Sequence, residues 1–207
     1  MTLLHSGRQN QQPRMTELEL IKGVIARDRE AISCLVETYQ KRVIKTAYYF
    51  LGNMEDAEDV AQDVFIEILN SIGNFRQSSA LSTWIYRITV NRSLNVVKKN
   101  KQRQYFIRIE SMFGIAKQGK SILVHESAPD INSLAENETR KILKEIVSGL
   151  PVNQRTVFIL SKYEEMSYKE ISEVTELSVS SVESLLHRAK LNLQKRLVSH
   201  FSEYSKK

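Results

Sequence analysis

The sequence predicts an all-α protein made of two helical domains joined by a flexible linker, and three observations carry that expectation. Glycine and proline are scarce, 7 and 3 in 207 residues, too few for the turns that many short strands would need. Apolar residues recur at helical spacing over long stretches. A Ser or Thr followed three residues later by Glu, the signature of a capped helix start, occurs at Thr16 and Glu19, at Ser133 and Glu136, and at Ser167 and Glu170. With 42% hydrophobic residues, the chain has material for a core in each domain.

Residues 1–14 are polar apart from Leu3 and Leu4 and read as a disordered tail without a signal-peptide pattern; Met15 is an alternative start. The first domain, 15–100, opens with a helix over about 17–26 capped by Thr16. A longer helix follows over about 31–51, stopped by Gly52 and Asn53, then a third over about 55–69. After the loop 71–80 comes a fourth, over 81–99. Residues 101–132 contain Gly114, Gly119 and Pro129, lose clear periodicity and read as the linker, with one short helical piece over about 106–115. The second domain spans 133–201, and 202–207 form a tail. No apolar run approaches the roughly 18 residues of a membrane span, so no membrane insertion and a cytoplasmic location are expected. The single cysteine, Cys34, excludes an internal disulfide and sits in an apolar helical pattern, where a buried inert thiol is expected. With no heptad seam, the free chain is expected to be monomeric.

The net charge of +6 fits an acidic partner, nucleic acid first, but the placement of charge says more. In "MEDAEDVAQDVFIEILN", at about 100° per residue, Ala57, Val60, Ala61, Val64, Phe65 and Ile68 share one face while Asp56, Asp59, Asp63 and Glu67 line the other. No lysine or arginine occurs between Lys45 and Arg76, so the stripe has no i, i+4 partner of opposite sign. A solvated face and a docking surface for a basic helix both fit. A metal site fits poorly, because no histidine shares the stripe.

In "LSTWIYRITVNRSLNVVKKNK", Leu81, Trp84, Ile85 and Ile88 fall together as a packed face, and Trp84 reads as core. Asn91 and Asn95 follow one turn apart on its flank, then Lys98, Lys99 and Lys101. Asparagine is a poor residue inside a helix. Simple exposure would explain two of them, and so would a role in offering amides to base edges while the lysines hold phosphates.

In "SYKEISEVTELSVSSVESLLHRAKLNLQKRL", a helix capped by Ser167 meets the turn "TEL" and a longer helix that starts near Ser178 or Ser180 and runs to about 197. Ile171, the small Ser172, Leu177 and Val182 suit the close crossing of a helix-turn-helix, and Arg188, Lys190, Lys195 and Arg196 make the second helix basic. Such pairs also occur in proteins that never touch DNA. The turn position that favours glycine is Glu176, at a cost of up to about 1–2 kcal/mol if its backbone is left-handed.

Four segments, "DAEDVAQDVFIEIL", "FRQSSALSTWIYRITVNRSLNVVKK", "LPVNQRTVFIL" and "SYKEISEVTELSVSSVESLLHRAKLNL", resemble in order and spacing the extracytoplasmic-function group of bacterial sigma-70-type RNA polymerase sigma factors. The resemblance spans 15–197 and implies a sigma-2-like and a sigma-4-like domain. It implies that Asp59, Gln62, Asp63 and Glu67 dock on the clamp helices of the largest subunit of core RNA polymerase. Asn91 and Asn95, with Arg87, Lys98 and Lys99 around them, would meet the minus-10 element of promoter DNA. The loop 71–80, with Ser71, Asn74, Phe75, Arg76 and Ser79, would receive a flipped base, assisting strand separation without bond-breaking chemistry. Ser180, Ser181, Glu183, Ser184, His187 and Arg188 would read the minus-35 element in the major groove. There the chain departs from the frequent pattern "TVKSRLHRA": it has "SVESLLHRA", with Glu183 and Leu185 in place of the basic residues, so a shifted specificity is expected. The linker would thread toward the active site and RNA exit of the polymerase, and an anti-sigma factor is an implied partner.

A lone DNA-binding regulator would leave the acidic helix without a role, and a helical adaptor would leave the order of amides and lysines unexplained. A catalyst fits worst: there is no phosphate loop, zinc-ligand spacing or nucleophile motif, and His5, His125, His187 and His200 are scattered, so neither an enzyme nor a cofactor is expected.

Overall fold

The computed structural model describes residues 15–112, 142–143 and 145–204, and among these it contains helices and no strand. The helix starts follow the caps. The Thr16 hydroxyl accepts the Glu19 amide at 3.3 Å and the Glu19 carboxylate accepts the Thr16 amide at 2.8 Å, opening α1 (Glu17–Ile25). Asp28 caps α2 (Arg29–Leu51), which begins slightly earlier than its periodicity suggests. Gly52, at φ 72°, ends α2 in the left-handed region where a glycine is unstrained. Asn53 then caps α3 (Met54–Ser71), and a 3-10 turn (Ile72–Asn74) leads into the loop before α4 (Leu81–Met112).

The first core lies among α1 to α4. Leu20, Ile21, Val24, Leu35, Val60, Val64, Ile68, Ile72, Leu81 and Ile85 are buried in it, each contributing about 1.5–3 kcal/mol by leaving water. Cys34 and Trp84 are partly buried against it. Residues 145–148 are helical and precede α5 (Val152–Lys162), α6 (Tyr168–Thr175) and α7 (Val179–Tyr204). Their core holds Val157, Ile159, Leu160, Ile171, Val174, Val182 and Leu186, but it also takes Phe50 from α2 and Val90 from α4. The helix-turn-helix block thus rests directly on the first domain.

Two ends differ from expectation. Helix α4 continues to Met112 where 99 was expected, because no glycine or proline interrupts the chain before Gly114; it absorbs the start of the expected linker and most of the short piece at 106–115. Helix α7 runs to Tyr204, past 197 and into the expected tail. The expected tail at 1–14, the linker beyond 112 and the cap at Ser133 and Glu136 lie outside the described residues.

Candidate DNA-reading and docking surfaces

The acidic stripe is set by the packing of α3. Ala57, Val60, Ala61, Val64 and Ile68 are buried, which turns Asp59, Gln62 and Asp63 to solvent beside an exposed Ile66. Glu67 behaves differently: it is half-buried and its carboxylate takes the Arg92 guanidinium of α4. Sequence reasoning missed this pair, since an ion pair between helices leaves no i, i+4 signal. Among the described residues no cluster of three metal-ligating side chains forms.

On α4, burial of Leu81, Ile85 and Ile88 leaves Asn91, Asn95, Lys98 and Lys99 exposed along one side. Asn95 and Lys99 line a shallow groove with Val60, Asp63, Arg92 and Val96, so the amide stripe and the acidic stripe meet along the seam of α3 and α4. Arg87 stands apart from the other residues expected to meet DNA. One turn before Asn91, it is half-buried; its guanidinium donates to the Glu173 carbonyl at 2.5 Å and pairs with Glu176 at 3.1 Å.

The loop 71–80 is partly tied down. Ser71 donates to the Glu67 carbonyl at 2.6 Å, and Phe75 packs on Trp84 with ring centroids 5.2 Å apart. Phe75 and Trp84 therefore belong to the margin of the first core. Asn74 and Arg76 are exposed and Ser79 is half-exposed; Gln77 sits at φ 54° in the turn. Glu17 of α1 accepts the Leu81 amide at 3.2 Å, closing the loop onto the start of α4.

In the helix-turn-helix, Ser167 and Glu170 form the expected capping box, and the Ser172 hydroxyl donates to the Leu177 carbonyl at 2.5 Å, fixing the turn. Glu176 does adopt the left-handed backbone, φ 58°, that its place in the turn foretold. Ser178 caps α7, accepting the Ser181 amide at 3.2 Å, and its hydroxyl lies 3.1 and 2.7 Å from those of Ser180 and Ser181. Ser180, Glu183, Ser184, His187 and Arg188 are exposed and Ser181 is half-exposed. A shallow depression joins Ser180, Ser181, Ser184 and Arg188 to Leu177 and Leu185. Leu185 is partly buried against the second core, so the leucine that replaces a basic residue is used for packing.

Further polar contacts join the two blocks. Tyr86 donates its hydroxyl to Glu164 at 2.9 Å; burial first, and then the charge and hydrogen bond of Glu164, push that phenol well above its ordinary range. Lys45 donates to the Tyr163 carbonyl at 3.2 Å, and Tyr49 stacks on Tyr163 at 4.1 Å.

The described residues thus place an exposed polar helix beside an acidic one and set a helix-turn-helix block against them, and comparison with known proteins gives the class to which this arrangement belongs. The family model of Sigma-70 region 2 matches residues 35–103 and that of Sigma-70, region 4 matches residues 140–193. The chain is 31% identical to the ECF RNA polymerase sigma factor SigW of Bacillus subtilis, over 86% of this chain and 94% of that one. It is 28% identical to the ECF RNA polymerase sigma-E factor of Escherichia coli, over 86% and 92%. The chain belongs to the extracytoplasmic-function group of the sigma-70 family. Solved structures share its fold, two of them at a TM-score above 0.5. These two are CnrH in complex with the cytosolic domain of CnrY (TM-score 0.64, 20% identity, 88% of this chain and 97% of that one) and the sigma factor RpoE of Bartonella quintana in complex with the anti-sigma factor NepR (0.54, 18%, 78% and 93%).

Proposed function

We propose that this chain is an alternative sigma factor that binds core RNA polymerase and directs promoter-specific initiation. The observation that carries the proposal is the seam of α3 and α4, where exposed Asp63 lies beside exposed Asn95 and Lys99, with Asp59 and Gln62 exposed on α3 and Asn91 and Lys98 exposed on α4. Acids steer a basic helix of the polymerase clamp onto α3. Amides present a donor and an acceptor to base edges on α4, and the lysines neutralise phosphates. Polymerase and single-stranded minus-10 DNA would then share neighbouring faces of one rigid pair of helices. Glu67 serves this surface by holding Arg92 and thereby the two helices together.

Recognition of the minus-35 element falls to α7, whose N-terminus and serine hydroxyls suit phosphate while Glu183, Ser184, His187 and Arg188 face the groove. Glu183 can accept from a cytosine amino group and repels phosphates nearby, so its minus-35 preference differs from that of chains with lysine there. Melting is assisted by holding unstacked bases at the loop 71–80, through exposed Asn74 and Arg76, with no covalent step. An anti-sigma factor is the natural inhibitor on this reading; the RpoE protein, whose fold the chain shares, is bound to one.

Promoter fragments mixed with this protein, with core polymerase, and with both test the proposal by gel shift. The expected result is sequence-specific retention only with both. Specific retention by the protein alone would instead support a self-sufficient regulator.

A further inference from the structure

Arg87 is the first member of the row that continues one and two turns later as Asn91 and Asn95, yet it is the one residue of the row that the second domain holds. Its Nη1 pairs with the Glu176 carboxylate at 3.1 Å and its Nη2 donates to the Glu173 carbonyl at 2.5 Å. These oxygens, one anionic and one neutral, take the same guanidinium edges that a phosphate or a base acceptor would take. Around this grip, Tyr86 binds Glu164, Lys45 binds the Tyr163 carbonyl, and Phe50 and Val90 are buried among Val157, Ile159 and Ile171.

Two features mark the contact as one made to open. Arg87 Nε and Glu164 Oε1 are buried with no hydrogen-bond partner among the described residues, so separation gives both access to water or to new partners. Glu176 occupies a left-handed position at φ 58°, which glycine would fill without strain, and its carboxylate there pairs with Arg87. The strain sits where the clasp needs a carboxylate.

Promoter geometry sets the need to open. The minus-10 and minus-35 elements lie about 25 base pairs apart, roughly 85 Å of duplex at about 3.4 Å per base pair. Both elements cannot be read while α4 and the turn before α7 stand at ion-pair distance. We propose that Glu176, with the Glu173 carbonyl, is an intramolecular clasp that occupies Arg87 and withholds it from the minus-10 reading row in the free protein, while Asn91 and Asn95 stay exposed. Opening the two domains then delivers Arg87 to the nucleic acid. The inference rests on the assignment of α4 to minus-10 DNA.

The test uses the full chain, a short fluorescein-labelled single-stranded DNA from the non-template strand of one of its promoters, and two variants. Glu176→Gln removes the charge and keeps the left-handed backbone, whereas Glu176→Gly removes both charge and strain in a turn that suits glycine. Each free variant is expected to bind the oligonucleotide about fivefold or more tighter than the parent, with a larger radius of gyration by X-ray scattering. Bound to core polymerase, where the domains are already apart, parent and variants should bind it equally. Wild-type affinity in both free variants, while Asn91→Ala weakens binding, would overturn the clasp and leave the α4 assignment standing. No effect of Asn91→Ala even in the polymerase complex would overturn the α4 assignment, and the clasp with it.

Discussion

Asn91 and Asn95 are poor helix formers one turn apart inside α4, and both are exposed, which leaves their amides free to meet base edges. Asn91→Ala or Asn95→Ala should weaken promoter opening by about 1–3 kcal/mol per lost base contact, read by permanganate footprinting, with polymerase binding unchanged. Loss of polymerase binding in the same variants would remove the assignment. Glu176 was legible in the sequence as the wrong residue for its turn. Its partner was not, because nothing in the spacing of residues 87 and 176 announces contact. Leu185 carried no signal either; only packing reveals that it faces the second core.

Helix starts were readable where a capping box announces them, as at Thr16 and Ser167, whereas Asn53, which the sequence offers only as part of a stop, also caps α3. Ser167→Ala should destabilise the second domain by about 1 kcal/mol, measured by urea denaturation. Hydrogen bonds from the Ser167 side chain and backbone hold the Glu170 carboxyl below its ordinary value. A lowered folded value means that the cap contributes above the ordinary carboxylate range and is lost as pH falls through and below it. Glu170→Gln should flatten that part of the pH dependence of stability; an unchanged acid profile would discount the cap. The end of α4 was not readable, since a run of lysines, glutamines and arginines suits a helix and a solvated linker equally. On α3, Asp59→Lys with Asp63→Lys should abolish polymerase docking by fluorescence anisotropy while circular dichroism stays unchanged. These two are chosen over Glu67, whose loss would also strand Arg92.

At the scale of the whole molecule, periodicity says which face of a helix is apolar and leaves open which helix covers it. Phe50 and Val90 belong by sequence to the first domain and are buried in the core of the second. The division into two helical blocks was visible, while their mutual contact was not. The family assignment came from four segments in order, a signal distributed along the chain that no single element carries. On the proposed function, the chain turns core polymerase into a promoter-specific enzyme. Run-off transcription with core bacterial RNA polymerase, with and without this protein, on genomic promoter fragments from its own organism tests it most directly. Discrete transcripts are expected only when both are present, with start sites that share a minus-10 and a minus-35 sequence. A transcript pattern identical with and without the protein, although it binds the core enzyme, would contradict it.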